Sequence, residues 1–270
     1  MDRKRVTSDT LNLKPAVTNI DSIEKQVVTN LNGDRLNMTP EKGQLHPITL
    51  MTNDIVRIFD ELGFEAVMGP EMETQWYNFD ALNVPKDHPA RDMQDTFYIK
   101  NNPEMVMRTH ATNATSRALE TAVKNNSFPC AYVSIGKVFR NEATDATHEM
   151  QFFQVDGCAV GENITLGNLK STLLALYRGL LGPDVDIQLR PSFFPFVEPG
   201  LEVWIKFRNR WLEVMGAGMI HPNVLKNAGI DPEKYQGFAF GGGVDRILMV
   251  KYDIPDVRLL YQGDLRINQW

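Results

Sequence analysis

From residue 46 onward the chain alternates between helix-spaced and strand-spaced apolar positions. Ile48, Met51, Ile55, Ile58, Phe59 and Leu62 form one helical stripe, and Gly63 is a natural C-terminal stop. Residues 64–70 read as a short strand closed by Gly-Pro. A second helix is predicted over 112–124. A third is predicted over 165–181, where Leu166, Leu169, Leu173, Leu176 and Leu180 share a face and Thr165 supplies the N-cap. Strands are expected at 131–135, 151–160, near 184–190, and at 201–207, 211–215 and 237–240, with a closing helix at 244–252. Residues 71–104 read as a long polar connection punctuated by proline, and loops of that length inside a domain usually carry function.

Hairpin spacing such as Phe207-Arg-Asn-Arg-Trp211 points to antiparallel pairing. The order of elements therefore favours an α+β fold, an antiparallel sheet flanked by helices, over a doubly wound parallel sheet. Two regions are expected: residues 1–44, a polar extension that is poorly ordered or partly helical (a short helix around 20–28), and residues 45–270, one catalytic-sized domain.

With 43% hydrophobic and 23% charged residues, the 270-residue chain has the composition of an ordinary globule. No apolar run approaches the roughly 18 residues of a membrane span, so no membrane role is expected. Cys130 and Cys158 lack Cys-x-x-Cys spacing and read as buried thiols of a reducing cytosol, which implies a cytoplasmic protein. The five histidines show no metal-ligand spacing. A net charge of −6 and a pI near 5.4 are unfavourable for direct binding to nucleic acid, so a partner subunit is expected to supply any such affinity.

Two stretches carry candidate chemistry. In residues 151–160, alternation sets Phe152, Gln154, Asp156 and Cys158 on one face and Phe153, Val155, Gly157 and Ala159 on the other. The second face suits packing beneath a helix. The first combines an aromatic plate with two polar groups that could orient an ammonium. Alternation alone does not separate that floor from a half-exposed sheet face of incidental polarity. Upstream, Arg140 and Glu142 point to one side, a spacing that a surface ion pair also explains. Gly241-Gly-Gly-Val-Asp-Arg246 places glycines between a strand and a helix, where phosphates bind; the same glycines could serve close packing. The run is neither a P-loop nor a dinucleotide fingerprint. Two fixed guanidinium groups, Arg140 and Arg246, are what a site needs to grip both ends of a triphosphate.

Taken together, these two elements resemble the second and third signature motifs of class II aminoacyl-tRNA synthetases. The wider chain is similar to the α (catalytic) subunits of bacterial-type phenylalanine–tRNA ligases. The phrases that carry this likeness occur in the family's order over residues 46–270. They include Gly69-Pro-Glu-Met-Glu73, Asn78-Phe-Asp-Ala-Leu-Asn83, His88-Pro-Ala-Arg-Asp-Met-Gln-Asp-Thr-Phe97 and Arg108-Thr-His110. Further along stand Arg190-Pro-Ser-Phe-Phe-Pro-Phe-Val-Glu-Pro199, Trp211-Leu-Glu213, Gly218-Met-Ile-His-Pro-Asn-Val-Leu225 and Gly237-Phe-Ala-Phe240.

The resemblance implies a class II synthetase-like catalytic domain that condenses phenylalanine with ATP to phenylalanyl-adenylate and passes it to tRNA(Phe). It implies an ATP site of Arg140, Glu142, His148, Phe152, Gly243 and Arg246, with Arg140 and Arg246 catalytic. It implies an amino-acid pocket of Phe194, Phe196, Val197 and Ala239, and an ammonium site of Gln154 and Asp156 with His110 and Thr112 alongside. Glu198 and Glu213 are the carboxylates expected to face Mg2+. By family, the partners are a β subunit in an (αβ)2 assembly and a second α chain meeting residues 64–73.

This chain also departs from the family's pattern. The usual Arg-Thr-His-Thr-Ser-Pro-x-Gln stands here as Arg108-Thr-His-Ala-Thr-Asn-Ala-Thr115, the usual Glu-Gly as Asp156-Gly157, the usual Phe-His-Gln as Phe152-Phe-Gln154, and the third-motif Glu-Arg as Asp245-Arg246. The family's long N-terminal helical arm has no counterpart in residues 1–44, so a shortened α-type chain is expected. Most of these departures surround the substrate amine. They leave two alternatives beside phenylalanine activation: a paralogue that serves another amino acid or acceptor, and a non-catalytic binding or regulatory relative.

Overall fold

The computed structural model describes residues 43–92, 95–264 and 267, together with the backbone of two short strands nearer the N-terminus. The chain divides into two units, Met1–Gly43 and Gln44–Trp270. In the first, β1 (Val28–Thr29) pairs antiparallel with β2 (Arg35–Leu36). The helix expected around 20–28 lies outside the described residues, except for Val28, which opens β1.

The second unit is built on a seven-stranded sheet. Its strands are β3 (Glu65–Ala66), β7 (Cys130–Phe139), β8 (Gln151–Gly161), β9 (Asp186–Phe194), β10 (Val197–Phe207), β11 (Arg210–Ile220) and β12 (Gln236–Gly243). The order across the sheet is β3-β7-β8-β12-β11-β10-β9, antiparallel throughout except for the parallel β3–β7 pair at one edge. The α+β, antiparallel expectation therefore holds, with that one parallel edge added.

Helices α1 (Pro47–Glu61), α4 (Leu166–Leu181) and α6 (Val244–Tyr252) share one core with a face of this sheet. On α4, Leu169, Leu173, Leu176 and Leu180 are buried as the spacing predicts, and Thr165 forms a full capping box with Asn168. Leu166 does not join them. It sits at the first helical position, ahead of the packed turns, and Tyr177 fills the stripe instead. Phe153, Val155 and Ala159 of β8 face this core, as the alternation requires. Gly157 belongs to the same face: a Cβ there would meet the Phe240 ring at 2.3 Å, so only glycine lets that ring lie flat on the strand.

The opposite face is covered only in part. α3 (Thr112–Asn125) packs there against Tyr132, Cys158 and Val160, while the middle of the sheet stays open above Gln154, Asp156 and Ala239. The hairpin joining β10 and β11 turns at Arg208 and Asn209, both left-handed (φ 47° and 63°), the geometry of a two-residue type I′ turn.

Several boundaries differ from the sequence reading. The strand expected over 64–70 forms only at Glu65–Ala66, because Gly69 and Pro70 draw the chain away toward α3. Residues 71–104 are not an unstructured connection. They fold into a three-stranded antiparallel sheet of β4 (Met72–Thr74), β6 (Asn102–Met107) and β5 (Tyr98–Ile99), with the short helix α2 (Gln75–Asn78) and two 3-10 turns between them. The strands of the large sheet run longer than their apolar alternation suggested, since their ends carry polar site residues. The six-residue α5 (Pro222–Asn227) also escaped the sequence reading.

One local device recurs. His46-Pro47, His88-Pro89 and His221-Pro222 each open a helix or 3-10 turn, with the imidazole Nδ1 accepting the backbone N–H two residues on at 3.1–3.2 Å. Proline at the first position needs no N–H partner, and the histidine satisfies the next donor. Three of the five histidines are thus structural caps, which explains why their spacing showed no metal pattern.

Candidate active site

Two adjoining cavities of about 410 and 160 Å3 open on the uncovered face of the sheet. Arg140 and Glu142 line both. The larger also takes His110, Thr112, Gln154, Asp156, Phe194, Phe196, Val197 and Ala239, every residue the sequence reading grouped as an amino-acid site. The smaller takes His148, Phe152, Gly243 and Arg246, the remainder of the expected nucleotide set.

The apolar end of the larger cavity is the tip of the β9–β10 hairpin. Phe194 pairs with Val197 across Pro195-Phe196, and the two phenylalanine rings lie nearly parallel with centroids 5.9 Å apart. The tip is held by Asn83 Nδ2 donating to the Pro195 carbonyl at 2.8 Å and by the His221 N–H donating to that of Phe196 at 2.9 Å. Small residues make the room: a Cβ on Gly216 would stand 3.0 Å from the Phe194 ring, and Ala239 lies between Gly218 and Cys158 in the ladder.

At the polar end stands Asp156, buried at 5% exposure. Thr112 Oγ1 donates to its Oδ2 at 2.6 Å and Thr115 Oγ1 to its Oδ1 at 3.1 Å. Burial pushes this carboxyl up to about 7, against the pull of the two hydroxyls and the Arg108 guanidinium. Gly241 lets the backbone come close, since a Cβ there would lie 2.9 Å from Asp156 Oδ2. His110 is neutral: burial, with Arg140 adding, lowers its pKa to about 4. Its Nε2 lies 3.0 Å from the Asn78 carbonyl and so carries the proton, which leaves Nδ1 as an acceptor. That Nδ1 and Gln154 Oε1 are buried acceptors without a protein partner among the described residues. Two unmet acceptors and a carboxylate on one cavity are what an ammonium with three donors requires.

The scaffold beneath this end is ionic. Buried Arg108 donates from Nε to the Lys137 carbonyl at 2.7 Å and from a terminal nitrogen to that of Gly69 at 3.1 Å, tying β6 to β7. Gly136 clears its path, because a Cβ there would fall 2.2 Å from the guanidinium. Nearby, Arg117 holds buried Glu73 in a two-bond fork of 3.0 and 2.8 Å, and Asn113 donates to the same carboxylate at 3.1 Å.

The smaller cavity sets Arg140 and Arg246 among the carboxylates of Glu142, Glu149 and Asp245. Arg140 sits over the Phe152 ring at 5.1 Å and only 3.9 Å from Glu142, too loose to commit its charge. Arg246, exposed at the start of α6, makes no ion pair or hydrogen bond with the described residues. Asp145 takes the Thr147 hydroxyl, the Thr147 and His148 amides and His148 Nδ1 into one turn, which points that imidazole's other nitrogen outward. The glycine run divides its duties: Gly241 fronts Asp156, Gly242 packs under Met215, and Gly243 faces Arg246 in the cavity wall.

Glu198 and Glu213 line neither cavity and are exposed. Glu213 lies opposite Trp204, six residues along β10 from Glu198, or about 20 Å of strand at ~3.3 Å per residue. One ion cannot span both.

A model of the class II core domain of tRNA synthetases (F) matches residues 31–270. This chain belongs to the phenylalanine–tRNA ligase α-subunit family. Its relatives include the phenylalanine–tRNA ligase α subunits of Bacillus pumilus, 44% identical over 92% of this chain and 75% of that protein, and of Xanthomonas campestris pv. campestris, 42% identical over 98% and 83%. That of Limosilactobacillus reuteri is 46% identical over 85% of this chain and 69% of its own length. Lining residues to which the sequence reading gave no role include Ala90, Asp95 and Thr109 beside the larger cavity, and Asp245 and Val257 beside the smaller. Ala90 and Asp95 come from the stretch read as a loop, and the histidine cap at His88-Pro89 was the available signal.

Proposed function

We propose that this chain activates phenylalanine with ATP to phenylalanyl-adenylate and transfers it to tRNA(Phe). The observation that carries the reading is the junction of the two cavities at Arg140. One cavity offers stacked rings and ammonium acceptors, the other two arginines, of which Arg246 is unpaired with the described residues. An amino acid in the first and a triphosphate in the second would meet with carboxylate and α-phosphate at Arg140.

The reaction then needs little from the protein beyond position and charge. A substrate carboxylate oxygen attacks the α-phosphorus, the bond to the β-phosphate oxygen breaks, and pyrophosphate departs toward Arg246 and His148. Arg140 stabilises charge building on the pentacoordinate centre, and no protein nucleophile takes part. Class II synthetases use ATP with Mg2+. Among the described residues no group of three or more His, Cys, Asp or Glu converges on a metal position, so Mg2+ would be held chiefly by phosphate oxygens, as this ion allows. Bound there, it would offset phosphate charge. Glu198 and Glu213 remain candidates only for separate outer contacts.

The α-subunit kinship supports a β subunit as partner. Exposed Met68 and Met72 within residues 64–73, and Trp76 just beyond them, support a second α chain there.

ATP–pyrophosphate exchange with each of the twenty amino acids tests the proposal. Exchange with phenylalanine alone is expected; exchange with another amino acid alone would replace the substrate, and silence with and without a β subunit would leave a binding protein. The cavity floor gives a finer test. Ala239→Gly should admit para-substituted phenylalanines while keeping phenylalanine, because the lost methyl deepens the cavity between Gly218 and Cys158. An unchanged substrate range would remove Ala239 from the pocket.

A further inference from the structure

Asp245 precedes Arg246 in the first turn of α6 and is buried. Its Oδ2 accepts the Phe153 N–H at 2.8 Å, and its Oδ1 accepts the Tyr261 hydroxyl. The ladder between β8 and β12 stops at Gln154 opposite Gly243, so the carboxylate supplies the acceptor for the next amide along β8. Phe153 stands between Phe152 and Gln154. This bond therefore ties the strand that floors both cavities to the turn that carries Arg246.

Tyr261 arrives from the other direction. It follows the 3-10 turn Val257–Leu260, which Asp256 caps by accepting the Arg258 N–H at 3.0 Å. The Val257 N–H donates to the Ala146 carbonyl at 2.9 Å, and Val257 itself lines the smaller cavity. Ala146 lies within the turn in which Asp145 organises His148. One short segment thus touches the root of Arg246 through a side chain and the root of His148 through its backbone.

We propose that Tyr261 is a positioning residue for the nucleotide cavity: its hydroxyl, through Asp245, fixes the turn that carries Arg246 to the β8 strand at Phe153, and residues 257–261 brace that turn against the His148 turn. The inference rests on the reading of the smaller cavity as the ATP site. The ring of Tyr261 packs against the core, and a phenyl ring would do so equally; only the hydroxyl reaches Asp245.

Tyr261→Phe isolates that hydroxyl. In phenylalanine-dependent exchange it should raise the KM for ATP roughly tenfold, the scale of one lost hydrogen bond to a charged group, and leave the KM for phenylalanine within about twofold. Asp256→Ala, which uncaps the 3-10 turn and releases the Arg258 side chain from its carboxylate, should shift the KM for ATP in the same direction by less, and it decides the matter if Tyr261→Phe does not fold. A purely structural role would lower the melting temperature and move both KM values together or neither. Either result, with the unmodified protein active, overturns the inference. An unmodified protein that neither exchanges nor binds ATP would sink the underlying reading, and the inference with it.

Discussion

Arg246→Ala is expected to abolish amino-acid-dependent ATP–pyrophosphate exchange, with a loss of roughly 10³-fold or more, the scale of removing an arginine from a phosphoryl-transfer site. The guanidinium is exposed and unpaired with the described residues, at a helix N-terminus whose own dipole favours anions. A cation in that state contributes little to the fold. The variant should therefore melt close to the unmodified protein, since surface substitutions away from packed features fall within about 0.5 kcal/mol. The pairing of lost exchange with an unchanged melting temperature makes the test specific. Exchange that survived the substitution would move the triphosphate elsewhere and leave the smaller cavity without an assignment. Arg140→Ala would be a less clean experiment, because its Nε also donates to the Thr109 carbonyl at 3.3 Å and its charge stands over Phe152.

What the sequence disclosed of this site depended on how local the signal was. The strand β8 and its two faces were legible from period-two alternation, whereas the reading of one face as a binding floor needed the family resemblance. Thr165 and the Arg208-Asn209 turn were legible because caps and two-residue hairpins are written in adjacent residues. The division between an amino-acid and a nucleotide cavity came from family resemblance rather than from spacing. The region 71–104 was illegible because its strands are two to six residues long and carry no period. Its order comes instead from buried polar groups that pair across large separations: Glu73 with Arg117, Asn78 with Thr109, Arg91 with Asp80. Asp245 was read only as a shortened carboxylate beside Arg246, because its two partners lie ninety-two residues before it and sixteen after. Thr115 stands where the family's pattern has a glutamine and lacks that side chain's reach. It reaches Asp156 instead, and the two changes form one arrangement: a short carboxylate held by two hydroxyls.

That arrangement makes Asp156→Asn the second large effect, and one with opposite consequences for binding and for stability. Asp156, when ionised, sets a negative charge beside the neutral acceptors of Gln154 and His110 on the larger cavity, which Asp95 and Glu142 also line. Its loss should lower kcat/KM for phenylalanine by ~100-fold, the scale of a charge-assisted hydrogen bond in a buried site. The unmodified protein should show kcat/KM rising with pH through about 7, as the carboxyl ionises while the substrate ammonium stays charged; the variant should lack that limb. Stability runs the other way. The folded-state pKa lies above the unfolded one, so the folded chain binds the extra proton and loses stability as pH climbs from about 4 to about 7. Asparagine carries no such cost. The melting temperature of Asp156→Asn relative to the unmodified protein should therefore rise between pH 5 and pH 8, with the variant equal or higher at the upper end. Melting curves at the two pH values decide it. A difference that did not change between the two pH values would mean that Asp156 is ionised well below neutrality, held by Arg108 and the two threonines as a structural anchor rather than poised for a substrate amine.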